Sequence, residues 1–138
     1  DAGVPKGVQE RLDAAGRLVA ELEGAGVARE DILIDAVVTP LSVDSEGPRV
    51  AMEAMREIAT ALPGAHTICG VSNVSYGLPQ RALLNRVFLS QAIAAGLDSA
   101  ILDPCDRALM AALHAAEALA GRDEWCAGYL QAYRRGVL

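Results

Sequence analysis

Four polar residues with ligand-binding side chains lie within or at the end of short apolar runs. They are Asp35, Ser72, Asn73 and Asp103. A carboxylate accepts paired N–H bonds, and an amide both donates and accepts. In parallel α/β folds, ligands bind beyond the carboxyl ends of the strands. If these runs are parallel strands, the sequence predicts a ligand site at their shared edge.

Each of these polar residues has a structural and a functional interpretation. Asp35 stands between Ile34 and Ala36, and burying a carboxylate without partners is costly. It could cap the N–H groups of the following loop or accept N–H bonds from a ligand ring, and we favour the ligand. Asn73 is more typical of a turn by composition alone, and Asp103 before a proline is equally ambiguous.

The cysteines and histidines indicate neither a disulfide framework nor a metal centre. Cys69, Cys105 and Cys126 are odd in number and far apart, which is typical of reduced thiols in a cytoplasmic protein. His66 and His114 are isolated from each other and from the cysteines, so we expect no metal site. No basic residue neighbours Cys105 in sequence, so we expect an unreactive thiol there.

The elements that must position the polar residues alternate between strand and helix. Apolar runs begin near residues 32, 67 and 99, a spacing close to the ~30 residues of one βα unit. This repeat predicts a parallel α/β fold, either a (β/α)8 barrel or an open doubly wound sheet. The predicted strands are 32–38, 67–73 and 99–103, and the predicted helices are 7–24, 48–62, 80–95, 106–120 and 123–135.

The chain length sets a limit on this fold. A complete (β/α)8 barrel takes ~250 residues, whereas this chain has 138. Three strands cannot close a barrel, and Asp1 falls in what resembles a strand-to-helix loop. We therefore expect residues 1–138 to be the C-terminal half of one barrel domain.

Composition excludes several classes of function. The chain carries 12 Lys and Arg against 18 Asp and Glu, a net charge of −6, which argues against binding to nucleic-acid phosphates. Aromatic residues make up only 4%, too few for base-stacking platforms. No apolar run approaches the ~20 residues of a membrane span, and no glycine-rich nucleotide-binding motif is present.

The stretch from Gly70 to Pro104, GVSNVSYGLPQRALLNRVFLSQAIAAGLDSAILDP, resembles the methyltetrahydrofolate:corrinoid methyltransferases. The specific segments are G-x-S-N-x-S, L-P-x-R, L-x-N-R and A-G-L-D-x-A-I. This family belongs to the pterin-binding superfamily, which also contains dihydropteroate synthase and the folate domain of cobalamin-dependent methionine synthase. Residues 1–5, 32–40 and 124–134 resemble the family as well, so the similarity runs through nearly the whole chain.

The resemblance implies a fold and a set of site residues. The fold would be a (β/α)8 TIM barrel, with this chain supplying strands six to eight. Asp35 would anchor the pterin, because a carboxylate accepts the adjacent N–H donors of its pyrimidine edge. Asn73 would be the catalytic residue, hydrogen-bonded near the methylated ring nitrogen. The rest of the pterin-binding wall would be Gly70, Ser72, Arg81 and Ile101.

The activity implied is transfer of a methyl group from methyltetrahydrofolate to cobalt(I) of a corrinoid (cobalamin) protein, a cytoplasmic reaction of one-carbon metabolism. The implied partners are that corrinoid protein, the N-terminal half of the same barrel, and a second copy in a homodimer. One alternative is a non-catalytic pterin-binding or scaffold domain. Another is a dihydropteroate synthase-like enzyme, but the strand-seven lysine and strand-eight Arg-x-His of those enzymes are missing. Tyr76 also departs from relatives with a smaller or amide side chain there.

Overall fold

Three parallel strands form one sheet within the described residues, Gly3 and 5–138, of the computed structural model. Asp35 lies opposite Ile68, and Gly70 lies opposite Ile101. All the carboxyl ends therefore meet at one edge, as the sequence predicts. Of the loop expected at residues 1–5, Asp1, Ala2 and Val4 lie outside the described residues. In spatial order the strands are β1 (Leu33–Asp35), β2 (His66–Gly70) and β3 (Ser99–Ile101).

Five α-helices accompany this sheet within the part of the chain that the structure describes. They are α1 (Val8–Gly24), α2 (Gly47–Ala61), α3 (Arg81–Ala94), α4 (Arg107–Leu119) and α5 (Ala127–Arg134). Their bounds agree closely with those of the predicted helices, except that the predicted terminal helix is divided into the 3-10 turn Glu124–Cys126 and α5. None of the helices described is long and apolar enough to cross a membrane.

The helices pack on one face of the sheet and bury it. One core cluster contains Met55 of α2, Cys69 of β2 and Leu89 of α3, and each of these residues is 0% exposed. A second cluster joins Val19 of α1 to Ile58 of α2. Burying a side chain of this size contributes about 1.5–3 kcal/mol. On α3 the sequence spacing predicted Val87 among the inward residues, but Val87 is 49% exposed and Leu89 is buried instead.

The other face of the sheet is open, whereas a continuous apolar run such as 32–38 is typical of a strand buried on both faces, which is what we expected from the sequence. In β1, Ile34 is 7% exposed, whereas Leu33 is 49% exposed. In β3, Ile101 is 64% exposed. Alternate side chains of a strand point to opposite faces, and helices cover only one of these faces. The expectation of burial on both faces is therefore wrong for the chain as it stands.

The start of α2 is held close to the loop that follows β1. A Cβ atom built on Gly47 would lie 2.8 Å from Cβ of Thr39 and 2.9 Å from its carbonyl oxygen. Only glycine fits such an approach, so Gly47 fixes the path of the loop over the carboxyl end of the sheet. Pro48 occupies the first turn of α2, where its missing N–H costs nothing.

Candidate functional site

The carboxyl ends of the three strands form a rim that carries most of the predicted site residues. Asp35 ends β1, Gly70 ends β2 and Ile101 ends β3. From the usual strand spacing and rise, Cα of Asp35 and Cα of Gly70 are roughly 8 Å apart. One small ligand can therefore contact two neighbouring strands.

Asp35 combines the two interpretations that the sequence left open. Its side chain is exposed, so the burial that its apolar neighbours led us to expect is wrong. Oδ1 accepts a hydrogen bond from the backbone N–H of Val37 at 2.8 Å, which is the predicted loop cap. Oδ2 makes no hydrogen bond with the described residues. One oxygen thus holds the loop while the other is available to a ligand.

Asn73 lies directly beyond β2, where the chain winds into the 3-10 turn Val71–Ser75. Its side chain is exposed and folds back over Gly70. A Cβ atom built on Gly70 would lie 3.1 Å from Nδ2 of Asn73, a tight approach. The family resemblance placed Gly70 in the wall of the pterin site, and the structure adds that its missing side chain makes room for the Asn73 amide.

Arg81 ties the first turn of α3 to the same 3-10 turn. Its Nη2 donates to the carbonyl of Ser72 at 2.9 Å, and its Nε donates to Oγ of Ser75 at 3.1 Å. Ser75 is 0% exposed, and its hydroxyl lies 2.7 Å from Oδ1 of Asn85, to which it donates. Sequence reasoning missed Ser75 and Asn85, although both belong to the quoted motifs G-x-S-N-x-S and L-x-N-R. Their role is to rigidify the turn that carries Asn73.

A cavity of about 380 Å³ opens beside this turn. Of the predicted site residues, Ser72, Arg81 and Ile101 line it, whereas Asp35, Gly70 and Asn73 do not. The structure therefore places the predicted residues in two groups on one rim. The full lining of the cavity is Val71, Ser72, Arg81, Ala82, Asn85, Ile101, Leu102, Asp103, Asp106 and Leu109.

The two aspartates that line this cavity make hydrogen bonds within its walls. Asp103 accepts the N–H of Cys105 at 2.9 Å, so it forms the turn that its sequence context allowed. Asp106 caps α4 by accepting the N–H of Leu109 at 3.0 Å and pairs with Arg86 at 3.2 Å. The Leu109 N–H first, and then the Arg86 guanidinium, hold the pKa of Asp106 below its usual range. Asp106 therefore remains charged at neutral pH and is not a proton donor.

Cys69 of β2 is not a nucleophile, and the described residues hold no metal-binding cluster. Burial first, and then the charge of Asp35, raise the pKa of the Cys69 thiol to about 12. Cys69 is therefore protonated and unreactive at neutral pH. Among Gly3 and residues 5–138, no group of three or more His, Cys, Asp or Glu side chains is arranged to hold a metal ion.

Arg11 is a third residue that sequence reasoning missed. It belongs to the buried stripe of α1 together with Ala15 and Val19. Its Nη1 donates to the carbonyl oxygens of Ala36 and Val37, each at 2.7 Å. Burial lowers the pKa of its guanidinium, which nevertheless stays protonated. The available signal was a charged residue at i, i+4, i+8 spacing with apolar ones.

Comparison with known proteins agrees with this geometry. The chain matches a family described as pterin binding enzymes over residues 5–103. It is 34% identical to the methylcorrinoid:tetrahydrofolate methyltransferase of Eubacterium limosum, and the match covers 100% of this chain and 51% of that protein. It is 36% identical to the methionine synthase of Mycobacterium tuberculosis, over 74% of this chain and 9% of that protein. The methionine synthase of Mycobacterium leprae is 34% identical over the same shares.

The chain thus spans about half the length of the first of these relatives. The family match covers most of the chain, including β1, β2, β3 and the 3-10 turn between β2 and α3. It also includes every residue that the sequence nominated for the site. The chain belongs to the pterin-binding enzyme family.

Proposed function

We propose that this chain supplies strands six to eight of a (β/α)8 barrel that transfers a methyl group between methyltetrahydrofolate and a corrinoid protein. The observation that carries the proposal is the placement of two exposed polar residues, Asp35 and Asn73, at the carboxyl ends of neighbouring parallel strands. Membership of the pterin-binding family and identity along the whole chain to a methylcorrinoid:tetrahydrofolate methyltransferase support it.

Asp35 is proposed to bind the pterin. The pyrimidine edge of a pterin offers adjacent N–H donors, and a carboxylate is the side chain best suited to accept them. Its Oδ1 is already engaged by Val37 but keeps a second lone pair, and Oδ2 has no partner within the described residues. The loop bond orients the carboxylate before the ligand arrives, which reduces the entropy lost on binding.

Asn73 is proposed to act on the methylated ring nitrogen. When the N–CH3 bond breaks, the methyl group would pass to cobalt(I). The nitrogen keeps the bonding electron pair and must take up a proton from solvent, because an amine anion is a poor leaving group. The Asn73 carbonyl oxygen can accept a hydrogen bond from the protonated nitrogen as charge develops. The corrinoid supplies the nucleophile, so the residues of this chain position the methyl donor and stabilise charge.

The remaining residues are proposed to form the wall of the pocket. Ile101 offers an apolar surface that is 64% exposed in the chain as it stands. Ser72 and Arg81 line the cavity of about 380 Å³ next to it, a volume within the range of small-molecule pockets. Because Arg81 also holds the Ser72 carbonyl, the wall and the turn that carries Asn73 form one unit.

The name of the Eubacterium limosum relative describes methyl transfer from a methylcorrinoid to tetrahydrofolate. This direction is the reverse of the one that the family resemblance implies. Both directions pass through the same transition state, so Asp35 and Asn73 have the same roles in each. The family resemblance implies methyltetrahydrofolate as the donor and cobalt(I) as the acceptor, and an assay in both directions determines which one is faster.

The site requires partners. A corrinoid protein is proposed to present its cobalt at the rim, where Asp35 and Asn73 lie. The N-terminal half of the barrel is proposed to cover the open face of the sheet, consistent with coverage of 51% of the first relative. We propose in addition a cytoplasmic homodimer of the complete barrel.

The substitution Asp35→Asn tests the proposal in a complete barrel that contains this chain. Asparagine keeps an oxygen for the Val37 N–H but turns the other acceptor into a donor that faces the N–H groups of the pterin. Losing such a pair costs about 1–3 kcal/mol, or roughly 5- to 140-fold in Kd. Calorimetric titration with methyltetrahydrofolate measures the change, and methyl transfer to free cob(I)alamin measures the activity.

Asp31→Asn is the matched control, because Asp31 is an exposed aspartate at the opposite end of β1. It should leave the affinity unchanged. Equal affinities of the wild type and Asp35→Asn for methyltetrahydrofolate would remove Asp35 from the site. Tight binding by the wild type without any methyl transfer would favour the scaffold alternative over an enzyme.

A further inference from the structure

A buried arginine holds the backbone that follows the proposed pterin-binding carboxylate. Arg11 is only 7% exposed, and its Nη1 donates to two consecutive carbonyl oxygens, those of Ala36 and Val37, at 2.7 Å each. Its Nε donates to the carbonyl of Pro5 at 3.2 Å. Hydrogen bonds from a charged donor are roughly twice as strong as neutral ones. The guanidinium therefore fixes the carboxyl end of β1 from the side of α1.

The backbone at Val37 is in a conformation that a branched residue rarely adopts. Its φ is 52°, in the left-handed region where a β-branched side chain is strained. Such strain persists only where the surroundings enforce it, and it is concentrated at functional sites. Two contacts enforce it here. Arg11 holds the Val37 carbonyl, and Oδ1 of Asp35 accepts the Val37 N–H at 2.8 Å.

These contacts couple Arg11 to Asp35 through a single residue. If the peptide groups on either side of Val37 rotated, the N–H that Oδ1 accepts would move, and the carboxylate would lose its fixed orientation. An arginine that merely satisfied the end of a strand would not need to impose a strained conformation on a valine.

We propose that Arg11 is a positioning residue for the pterin site, which holds Val37 in its left-handed conformation and thereby orients the Asp35 carboxylate toward the N–H donors of the ligand. The inference rests on the proposed function, because it takes Asp35 as the pterin-binding group. It adds a residue of α1 that does not touch the ligand.

The test uses the complete barrel with Arg11→Lys, Arg11→Met and two double variants. In Arg11→Met the restraint on Val37 is lost. The double variant Arg11→Met with Val37→Gly places a residue there that adopts positive φ without strain. Arg11→Met with Val37→Ala is its matched control, because alanine keeps the strain. Hydrogen exchange of the Val37 amide measures whether Val37 is still restrained, and calorimetric titration with tetrahydrofolate measures the effect on ligand affinity.

In Arg11→Met, we expect faster exchange of the Val37 amide and a Kd raised about tenfold, the effect typical of residues that orient a ligating side chain. Arg11→Lys should lie between this variant and the wild type. Glycine at position 37 should recover part of the lost affinity, and alanine should not. A purely structural arginine would not be rescued by glycine at this position.

Unchanged hydrogen exchange of the Val37 amide in both Arg11 variants would overturn the claim that Arg11 restrains Val37. Faster exchange with an unchanged Kd, or equal recovery by glycine and alanine, would overturn the positioning role. If Arg11→Met fails to fold, Arg11→Lys alone and combined with each Val37 variant gives the same comparison. Failure of the wild-type barrel to bind tetrahydrofolate would overturn the proposed function itself, and this outcome is distinguished because it does not depend on Arg11.

Discussion

At the scale of single residues, Asn73 and Asp35 differ in when their proposed bonds matter. Asp35 contacts a part of the pterin that does not change during the reaction, so it contributes to binding. Asn73 lies near the nitrogen on which charge develops, and an interaction that strengthens in the transition state raises the rate more than the affinity. The two residues should therefore have separable kinetic signatures.

We expect Asn73→Ala to lower the rate of methyl transfer by about 10²–10³-fold, the usual effect of removing one group that stabilises developing charge. The Kd for methyltetrahydrofolate should change much less. Single-turnover kinetics at saturating methyltetrahydrofolate with free cob(I)alamin measures the rate, and calorimetry measures the Kd. A normal rate combined with weakened binding would make Asn73 a ground-state contact only.

The residues that the sequence nominated and those that it did not differ in whether their roles depend on local sequence or on tertiary contacts. The sequence nominated Asp35 and Asn73 because each is a polar residue in or at the end of an apolar run, and the family resemblance gave each its proposed role. The structure places both at the rim, and their roles stay predictions. Ser75 and Arg11 were not predicted, because their roles depend on tertiary partners, Asn85 and the carbonyl of Val37. The strain at Val37 left no mark in the sequence, since valine is typical of strands.

At the scale of elements, helices were better predicted than strands. Helices span many residues, so their periodicity is averaged over several turns. The strands are shorter than the apolar runs for local reasons. β1 stops at Asp35 because Val37 adopts positive φ, and β2 stops at Gly70 because the chain then forms a 3-10 turn. Apolar side chains beyond the strand ends remain in the core, as Val71 does at 1% exposure.

The segment before α5 stores strain that one carboxylate restrains. Trp125 and Cys126 have φ values of 57° and 55°, and Trp125 is 89% exposed. Asp123 accepts the N–H groups of Gly128 and Tyr129 at 2.8 Å each. These bonds close the strained turn between the carboxylate and the first turn of α5.

This segment should respond to acid. The Gly128 and Tyr129 N–H groups hold the pKa of Asp123 below its usual range, so the carboxylate stabilises the folded segment above its ordinary pKa of about 3.9. That contribution is lost as the pH falls below about 4 and through the folded-state pKa. Because Trp125 is the only tryptophan, we expect its fluorescence to change in this range before the loss of far-UV circular dichroism.

Asp123→Asn is the variant that tests this assignment, because asparagine does not titrate. Its tryptophan fluorescence should already differ at neutral pH and should show little further change in acid. Asp106→Asn is the matched control, since Asp106 caps α4 in the same way and its pKa is also lowered. The control should keep the Trp125 transition. An identical acid transition in Asp123→Asn would show that another group is responsible.

At the scale of the whole molecule, the sheet has an open face and two open edges. β1 and β3 each pair with β2 only, so each leaves one row of backbone groups unpaired within the described residues. The length of the chain already predicted an incomplete barrel. The sequence did not show which apolar residues would be left exposed, because that depends on the register and on which face the helices cover. These residues include Leu33 and Ile101.

We expect the isolated 138-residue chain to associate, either with the N-terminal half of its barrel or with itself, because open strand edges and apolar faces recruit other chains. Sedimentation of the isolated chain measures this.

Leu33→Lys places a charge on the open face, where Leu33 is 49% exposed, and should weaken both self-association and pairing with the N-terminal half. Leu18→Lys is the matched control, because Leu18 is 51% exposed on α1, away from the open face. A chain that sediments as a stable monomer and unfolds cooperatively would contradict the half-barrel interpretation. Equal effects of the two lysine variants would show that the contact surface is not the sheet.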